Sequence, residues 1–541
     1  MKKFALINGK IYVERGVFAQ ALYAEDGIIR AVGSNEDILA LCAGVQPWDC
    51  GGKTVIPGFN DSHQHLLMVG IGMAQADITA ARSADHLVEI GRAFLEAHPE
   101  ARERGIQAVG WNQDLFEGDK RLPTRWDLDR ISPDIPIIME RVCGHIVTVN
   151  SKVLELMGVR RGGPQFPGGT WEADENGEPN GILTELVCNR ANAVFKPYTD
   201  QQYEQMFLSA AQYALSRGIT TVQSNDAGCA PLPISTVFRL IRKVYSENRC
   251  ALRHHHQMTF PSPAAFEQWL AEGPEQYLCG NDRMTLGPLK LFKDGSLGAH
   301  TATMRHEYLD DPGNYGVEAT SQADMDAFCA IADRHGMQVV THVIGDKAID
   351  DTLKSYETVL RAGKNPLRHG LIHCQITDRP LLERIARDGV LAMYQPIFLN
   401  YDMHAVISRC GEALSSTSYA FRTAARLGVP VSYGTDSPVE DMDPFPNLYA
   451  AITRQDENGW PEGGFFPQER VDIYDAVDAY TLGSAYAEFR EGDKGRLKPG
   501  YLADLAVLDT DIFTCPPEAV RTAGPVLTVV GGEPAWRKEQ A

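Results

Sequence analysis

His63 and His65 close the stretch Val55 to His65, VIPGFNDSHQH, with a spacing that metal chemistry can use. Side chains at i and i+2 leave an extended strand on the same face, so two imidazoles can converge on one ion. A His-x-His pair is a modest signal alone, and the remaining ligands must come from elsewhere. The chain offers His342 at the end of MQVVTH, His373 in GLIHCQ, Asp436 at the end of VPVSYGTD, and Lys290 in LGPLKLFKDG. By alternation Lys290 shares a face with Phe292 and Asp294. An unpaired lysine would be expensive to bury there. A role at a metal and a buried ion pair with Asp294 are the two readings of it.

The elements that must position these residues are short apolar runs separated by helix-length segments. After VIPGFNDSH they are GITTVQ (218–223), HHHQMTF (254–260), LGPLKLFKDG (286–295), MQVVTH (337–342), GLIHCQ (370–375), VLAMYQP (391–396 and flanks) and VPVSYGTD (429–436). Eight β-α units in succession predict an α/β fold, a TIM-like (β/α)8 barrel whose functional residues gather at the C-terminal ends of the strands. Residues 3 to about 50 alternate in short segments around Asn8-Gly9 and Asp26-Gly27, which are hairpin signals. The same texture returns in GRLKPGYLADLAVLD and GPVLTVVGGEPAW. The expected organisation is a small β-sandwich domain built from residues 1–54 and 495–541, with the barrel over 55–494. A long insertion at about 75–205 follows the first barrel strand. Its Gly/Pro-rich part, GGPQFPGGTWEADENGEPNGIL, is expected to hold little regular structure.

Composition narrows the function classes. Of 541 residues, 44% are hydrophobic and 23% charged, which describes a soluble globular protein with a substantial core. A net charge of −20 speaks against a nucleic-acid backbone or an anionic membrane as partner. The opening residues do not read as a secretory signal, and no apolar run reaches the length of a membrane span. The 11 cysteines stand singly, without a C-x-x-C pair, and suggest reduced thiols in a cytoplasmic protein.

With PGFNDSHQH, GHIVTVNSK, GITTVQ, LKLFKDGSLG, THVIGDKAID, YGTDSPVEDMDPF and GRLKPGYLADLAVLD together, the chain resembles the metal-dependent amidohydrolases, and within them the YtcJ-like group of the Amidohydro_3 type. The resemblance implies that His63, His65 and Asp436 ligate one divalent metal, His342 and His373 another, and that Lys290 is carbamylated and bridges them. Zinc is the expected ion, one per chain or two with the carbamate in place. It further implies hydrolysis of a carbon–nitrogen bond other than a peptide bond, in an N-acyl, N-formyl or cyclic amide small molecule. A metal-bound hydroxide would attack the carbonyl, with Asp436 as general base and then general acid. His145, in GHIVTVNS, becomes a candidate for holding the substrate carbonyl or oxyanion. Trp111 and Asp294 are candidate substrate contacts.

This sequence departs from the family pattern at three positions. Ile372 stands where Glu is common before the sixth-strand histidine, Cys143 where Ser is common, and Lys293 where a small or apolar residue is usual. His254, His255 and His256 form a run, but alternation sends His255 opposite to its neighbours, and they read as pocket-lining or structural. Trp111 has packing as its alternative, and His145 has an anchoring role within the insertion. Hydrolytic deamination of an aminated ring is the competing activity. A small-molecule binding protein on an inactive scaffold is the competing class, and the full ligand set argues against it. For the assembly, a homodimer is the commonest arrangement of such an enzyme.

Overall fold

The computed structural model describes residues 2–42, 44–142 and 145–539. Cys143 lies outside the described residues. The chain divides into two compact units, Met1–Val69 with Phe207–Ala541, and Gly70–Met206.

The first unit is a mixed α/β fold around a nearly closed barrel of eight parallel strands. In order they are β1 Phe59–Gln64, β2 Ile219–Ala227, β3 Arg253–Met258, β4 Met284–Phe292, β5 Val339–Val343, β6 Gly370–His373, β7 Leu391–Tyr394 and β8 Val431–Tyr433. Each pairs with its sequence neighbour, and β2 pairs with β1. Between β8 and β1 the ring is drawn together just beyond the strand ends. Asp436 N–H donates to His63 C=O at 2.8 Å and His65 N–H to Ser437 C=O at 2.7 Å. Helices follow most strands, and their limits are written locally. Arg379–Asp388 starts at Asp378, whose carboxylate accepts from Leu381 N–H, and stops at Gly389, a left-handed position with φ of 65°.

The opening stretch is shared between two sheets. Thr54–Pro57 pairs with Lys10–Glu14 and with Leu505–Leu508, in a six-stranded sheet built from both ends of the chain. The next strand residues, from Phe59, belong to the barrel. Gly58 sits at the joint because a Cβ there would come within 2.2 Å of the Thr220 side chain. A four-stranded sheet from residues 3–49 completes the region, and one apolar cluster draws Leu6, Leu22 and Ile29 together with Leu497, Leu505 and Val529.

The far end of the barrel interior is polar. Glu488 accepts from Lys494 Nζ at 2.9 and 3.1 Å and from Asn60 Nδ2 at 2.8 Å, and Arg253 donates to Asp504 at 2.7 Å. These charges are buried, and each has its partner.

The second unit carries its own six-stranded sheet, ordered Trp171–Ala173, Pro179–Thr184, Ile146–Val149, Ile137–Arg141, Ile106–Trp111 and Ala76–Asp77. The first two strands correct the expectation of little regular structure in the Gly/Pro-rich segment. Asp174 Oδ1 accepts from Asn176 N–H and Glu178 N–H, and Gly177 takes φ of 78°, so the residues between are a hairpin turn. No helix among the described residues is long and apolar enough to cross a membrane.

Candidate metal centre

His63 lies in β1, His373 ends β6, and Asp436 follows β8, all at one rim of the barrel. One donor atom from each falls within 4.8 Å of the others. Asp436 Oδ1 is 3.2 Å from His63 Nε2 and 3.4 Å from His65 Nε2, and Oδ2 is 3.9 Å from His373 Nε2. The His342 ring centroid is 4.5 Å from that of His373, which extends the group across β5 and β6. His373 and Asp436 hold left-handed backbone conformations, with φ of 72° and 58°. Such conformations cost non-glycine residues ~1–3 kcal/mol and are typically retained where a side chain must be aimed.

Hydrogen bonds on the outward nitrogens settle which face of each ring is offered. His63 Nδ1–H donates to Gln257 Oε1 at 2.6 Å, His65 Nδ1–H to Asn225 C=O at 2.8 Å, and His373 Nδ1–H to Gln395 Oε1 at 2.7 Å. His342 reverses the choice, with Nε2–H donating to Gly295 C=O at 3.0 Å. Oxygens of amides and carbonyls only accept, so the proton of each imidazole lies on the outward side. The lone pairs are left on Nε2 of His63, His65 and His373 and on Nδ1 of His342.

Electrostatics carry the same message. Burial, with the nearby Lys290 charge, lowers His63 to about 4 and His342 to about 3, and burial takes His373 well below the usual range. Neutral rings therefore face Asp436. Imidazole lone pairs and a carboxylate oxygen within about hydrogen-bond distance repel unless a cation lies among them. The donor set thus fits a divalent ion.

Lys290 is fully buried in β4, and its ammonium has no hydrogen-bonding partner among the described residues. It lies 3.9 Å from the Phe292 ring centroid. The ion pair with Asp294 is not formed. Asp294 instead accepts from the backbone N–H groups of Thr303, Ile344 and Gly345 at 2.8–3.0 Å, which makes it a brace between the β4 and β5 loops. Burial lowers Lys290 to about 8, against the pull of Asp436.

The other residues singled out in the sequence fall elsewhere. Trp111 is wholly buried in the core of the second unit, its indole N–H donated to Met139 C=O, which is a packing role. His145 belongs to the same unit, exposed, with Nδ1 3.1 Å from Glu185 Oε2. His254 and His256 point to the helix side of β3, where they meet Phe207 and Phe238, while His255 bonds Thr285 Oγ1 at 2.8 Å. Ile372 packs with Val340, Leu391 and Met393, and Lys293 pairs with Glu318. Sequence reading missed Gln257 and Gln395, which lie at the rim ends of their strands, Gln257 within the polar run RHHHQM and Gln395 just after the apolar LAMY. It also missed Phe398, whose ring stacks on His373 at 5.5 Å.

Known proteins resemble this chain over most of its length. The family model described as the amidohydrolase family matches residues 46–535. The YtcJ amidohydrolase of Bacillus subtilis is 30% identical over 98% of this chain and 99% of its own length. An N-substituted formamide deformylase of Arthrobacter pascens is 25% identical, with 98% of each chain covered. The crystal structure of an uncharacterized metal-dependent hydrolase from Pyrococcus horikoshii OT3 is similar with a TM-score of 0.77 and 27% identity, covering 95% of this chain and 99% of that one.

Proposed function

This chain belongs to the amidohydrolase family, and from that premise we propose that it hydrolyses the carbon–nitrogen bond of an N-formyl, N-acyl or cyclic amide small molecule. The observation that carries the reading is the convergence of His63, His373 and Asp436 with every ring proton turned outward. A divalent ion bound there, zinc by the mixed nitrogen and oxygen donors, supplies Lewis acidity and brings water into reach of ionisation near neutral pH. His63, His65 and Asp436 would hold it, with His342 and His373 as the further donors of the group.

Asp436 stays ionised and is the base. It takes the proton of the attacking water on a carboxylate oxygen and returns it to the leaving nitrogen. Lys290, with burial holding it to about 8, has a fraction of neutral amine at neutral pH. That amine adds carbon dioxide, forming the N–C bond of a carbamate and releasing one proton. The product is an anion that would match a site of cations; with it the six side chains could hold two ions, and without it one. Phe292 and Phe398 give the site an apolar wall against His342 and His373.

Residues 1–54 and 495–541 are read as a small β-sandwich domain and 55–494 as the hydrolase barrel with its insertion. The unpaired cysteines fit work in the cytoplasm. The relative named for N-substituted formamides makes N-formyl amines the first substrates to try. Zinc-loaded protein incubated with a panel of N-formyl amines, N-acetyl amines and cyclic amides is expected to release carboxylate, with free amine from the acyclic members. Ammonia from aminated heterocycles, with no turnover of that panel, would instead establish deamination.

A further inference from the structure

Two buried glutamines stand where an outer partner of a metal-ligating imidazole is needed. Gln257, in β3, and Gln395, just after β7, are 0% and 3% exposed in turn, away from water that could replace them. An amide can face an imidazole with either end, and the two ends dictate opposite tautomers. Presented by its NH2, it would leave the proton on Nε2, aimed at Asp436, and the ring could not ligate.

Both amides are turned the productive way by a second bond. Gln257 Nε2–H donates to Ser62 C=O at 3.0 Å, so Oε1 is left for His63 Nδ1–H. Gln395 Nε2–H donates to Met393 C=O at 3.3 Å, so Oε1 is left for His373 Nδ1–H. Ser62 is the residue before His63, so β1 orients the amide that orients its own ligand. Met393 lies opposite Ile372 in the β6–β7 register, which gives His373 the same arrangement from the neighbouring strand.

We propose that Gln257 and Gln395 are positioning residues that lock His63 and His373 in the Nδ1–H tautomer and thereby set the affinity of the centre for its ion. The proposal rests on the metal-centre reading. As neutral acceptors the two amides draw little on the imidazole proton, whereas a carboxylate in the same place would raise ligand basicity. The negative charge of the centre is then left to Asp436 and to modified Lys290.

Zinc dissociation constants, measured by competition with a coloured chelator on the full chain, test it. Gln257→Met and Gln395→Met keep the size and lose the acceptor, and each is expected to weaken zinc binding about 10–100-fold. Gln257→Glu and Gln395→Glu, as buried neutral acids whose O–H replaces the amide donor to the Ser62 or Met393 carbonyl, keep the acceptor toward the ring and are expected to bind at least as tightly as the parent. Thermal unfolding of the metal-free proteins separates packing from positioning, since a packing role lowers the midpoint without moving the affinity. Zinc affinity of both Met variants within twofold of the parent would overturn the proposal. Where a Met variant does not fold, the Glu variant decides, and weaker binding than the parent overturns it. A parent chain that takes up no zinc sinks the metal-centre reading as well, so the two failures are told apart.

Discussion

At the scale of single residues, the proposed centre gives Asp436 two tasks, ligand and base, and substitution can part them. Asp436→Asn keeps the shape and one acceptor oxygen but cannot hold a proton between steps. Turnover of the substrate found in the screen should fall by about 10²–10⁴-fold while the far-ultraviolet spectrum is unchanged; near-parental turnover would remove Asp436 as base. Lys290→Ala deletes the amine proposed to add carbon dioxide. Metal content by elemental analysis should drop and recover when a short carboxylate such as formate or propionate is added, and an unchanged metal content would refute the carbamate. Glu440, on the loop after β8, is raised to about 7 by burial and by neighbouring carboxylates, Asp402 first. Because the folded value exceeds the unfolded one, its contribution to stability is whole below about pH 4.5 and is lost as pH rises through 7. Glu440→Gln should therefore gain on the parent by about 2 kcal/mol at pH 8 and by little at pH 4.5, read from urea midpoints. Why these residues were legible to different degrees is physical. His63, His65, His342, His373 and Asp436 announce themselves because each ends a strand-like run. Gln257 and Gln395 do not, because their meaning lies in which end of an amide faces a ring, and that depends on carbonyls of Ser62 and Met393 that only the fold brings near.

At the scale of elements, eight strands were readable because parallel barrel strands are buried on both faces and form short apolar runs. Their ends were less so. VPVSYGTD reads as a strand to Asp436, yet β8 stops at Tyr433, and the last residues leave the ladder to bond the backbone of His63 and His65. The DENG turn within 162–183 was hidden by its glycine and proline surroundings. The polar floor of the barrel was not foreseen either, since Glu488 and Lys494 come from a segment beyond β8 and carry no strand signal. That pair makes a test of element packing. Glu488→Ala leaves Lys494 buried without its carboxylate and should cost about 3–5 kcal/mol in chemical denaturation. The double change Glu488→Met with Lys494→Met should recover most of that loss; an equal loss in both proteins would show that the charge pairing is not what matters there.

For the whole molecule, the ion and the fold are linked. The donors of the centre come from β1, β5, β6 and the segment after β8, so an ion held by them binds the folded chain and not the unfolded one. Free zinc at 100 times its dissociation constant should add about 2.7 kcal/mol, and chelation should lower the thermal midpoint by several degrees. A midpoint indifferent to chelator and to added zinc would mean that no ion bridges these strands.

The sharing of Thr54–Pro57 and Phe59–Gln64 between two sheets also orders events on the ribosome. The partner strand Leu505–Leu508 leaves the exit tunnel hundreds of residues after His63 and His65 do. Until it arrives, Thr54–Pro57 has only Lys10–Glu14 as a partner, and its other edge is open. If the proposed centre binds its ion, nascent chains carry His63 and His65 for most of synthesis without the other donors, and metal capture waits until Asp436 has emerged. Such long sequence separation also predicts slow folding, with the docking of Leu505–Leu508 among the late steps.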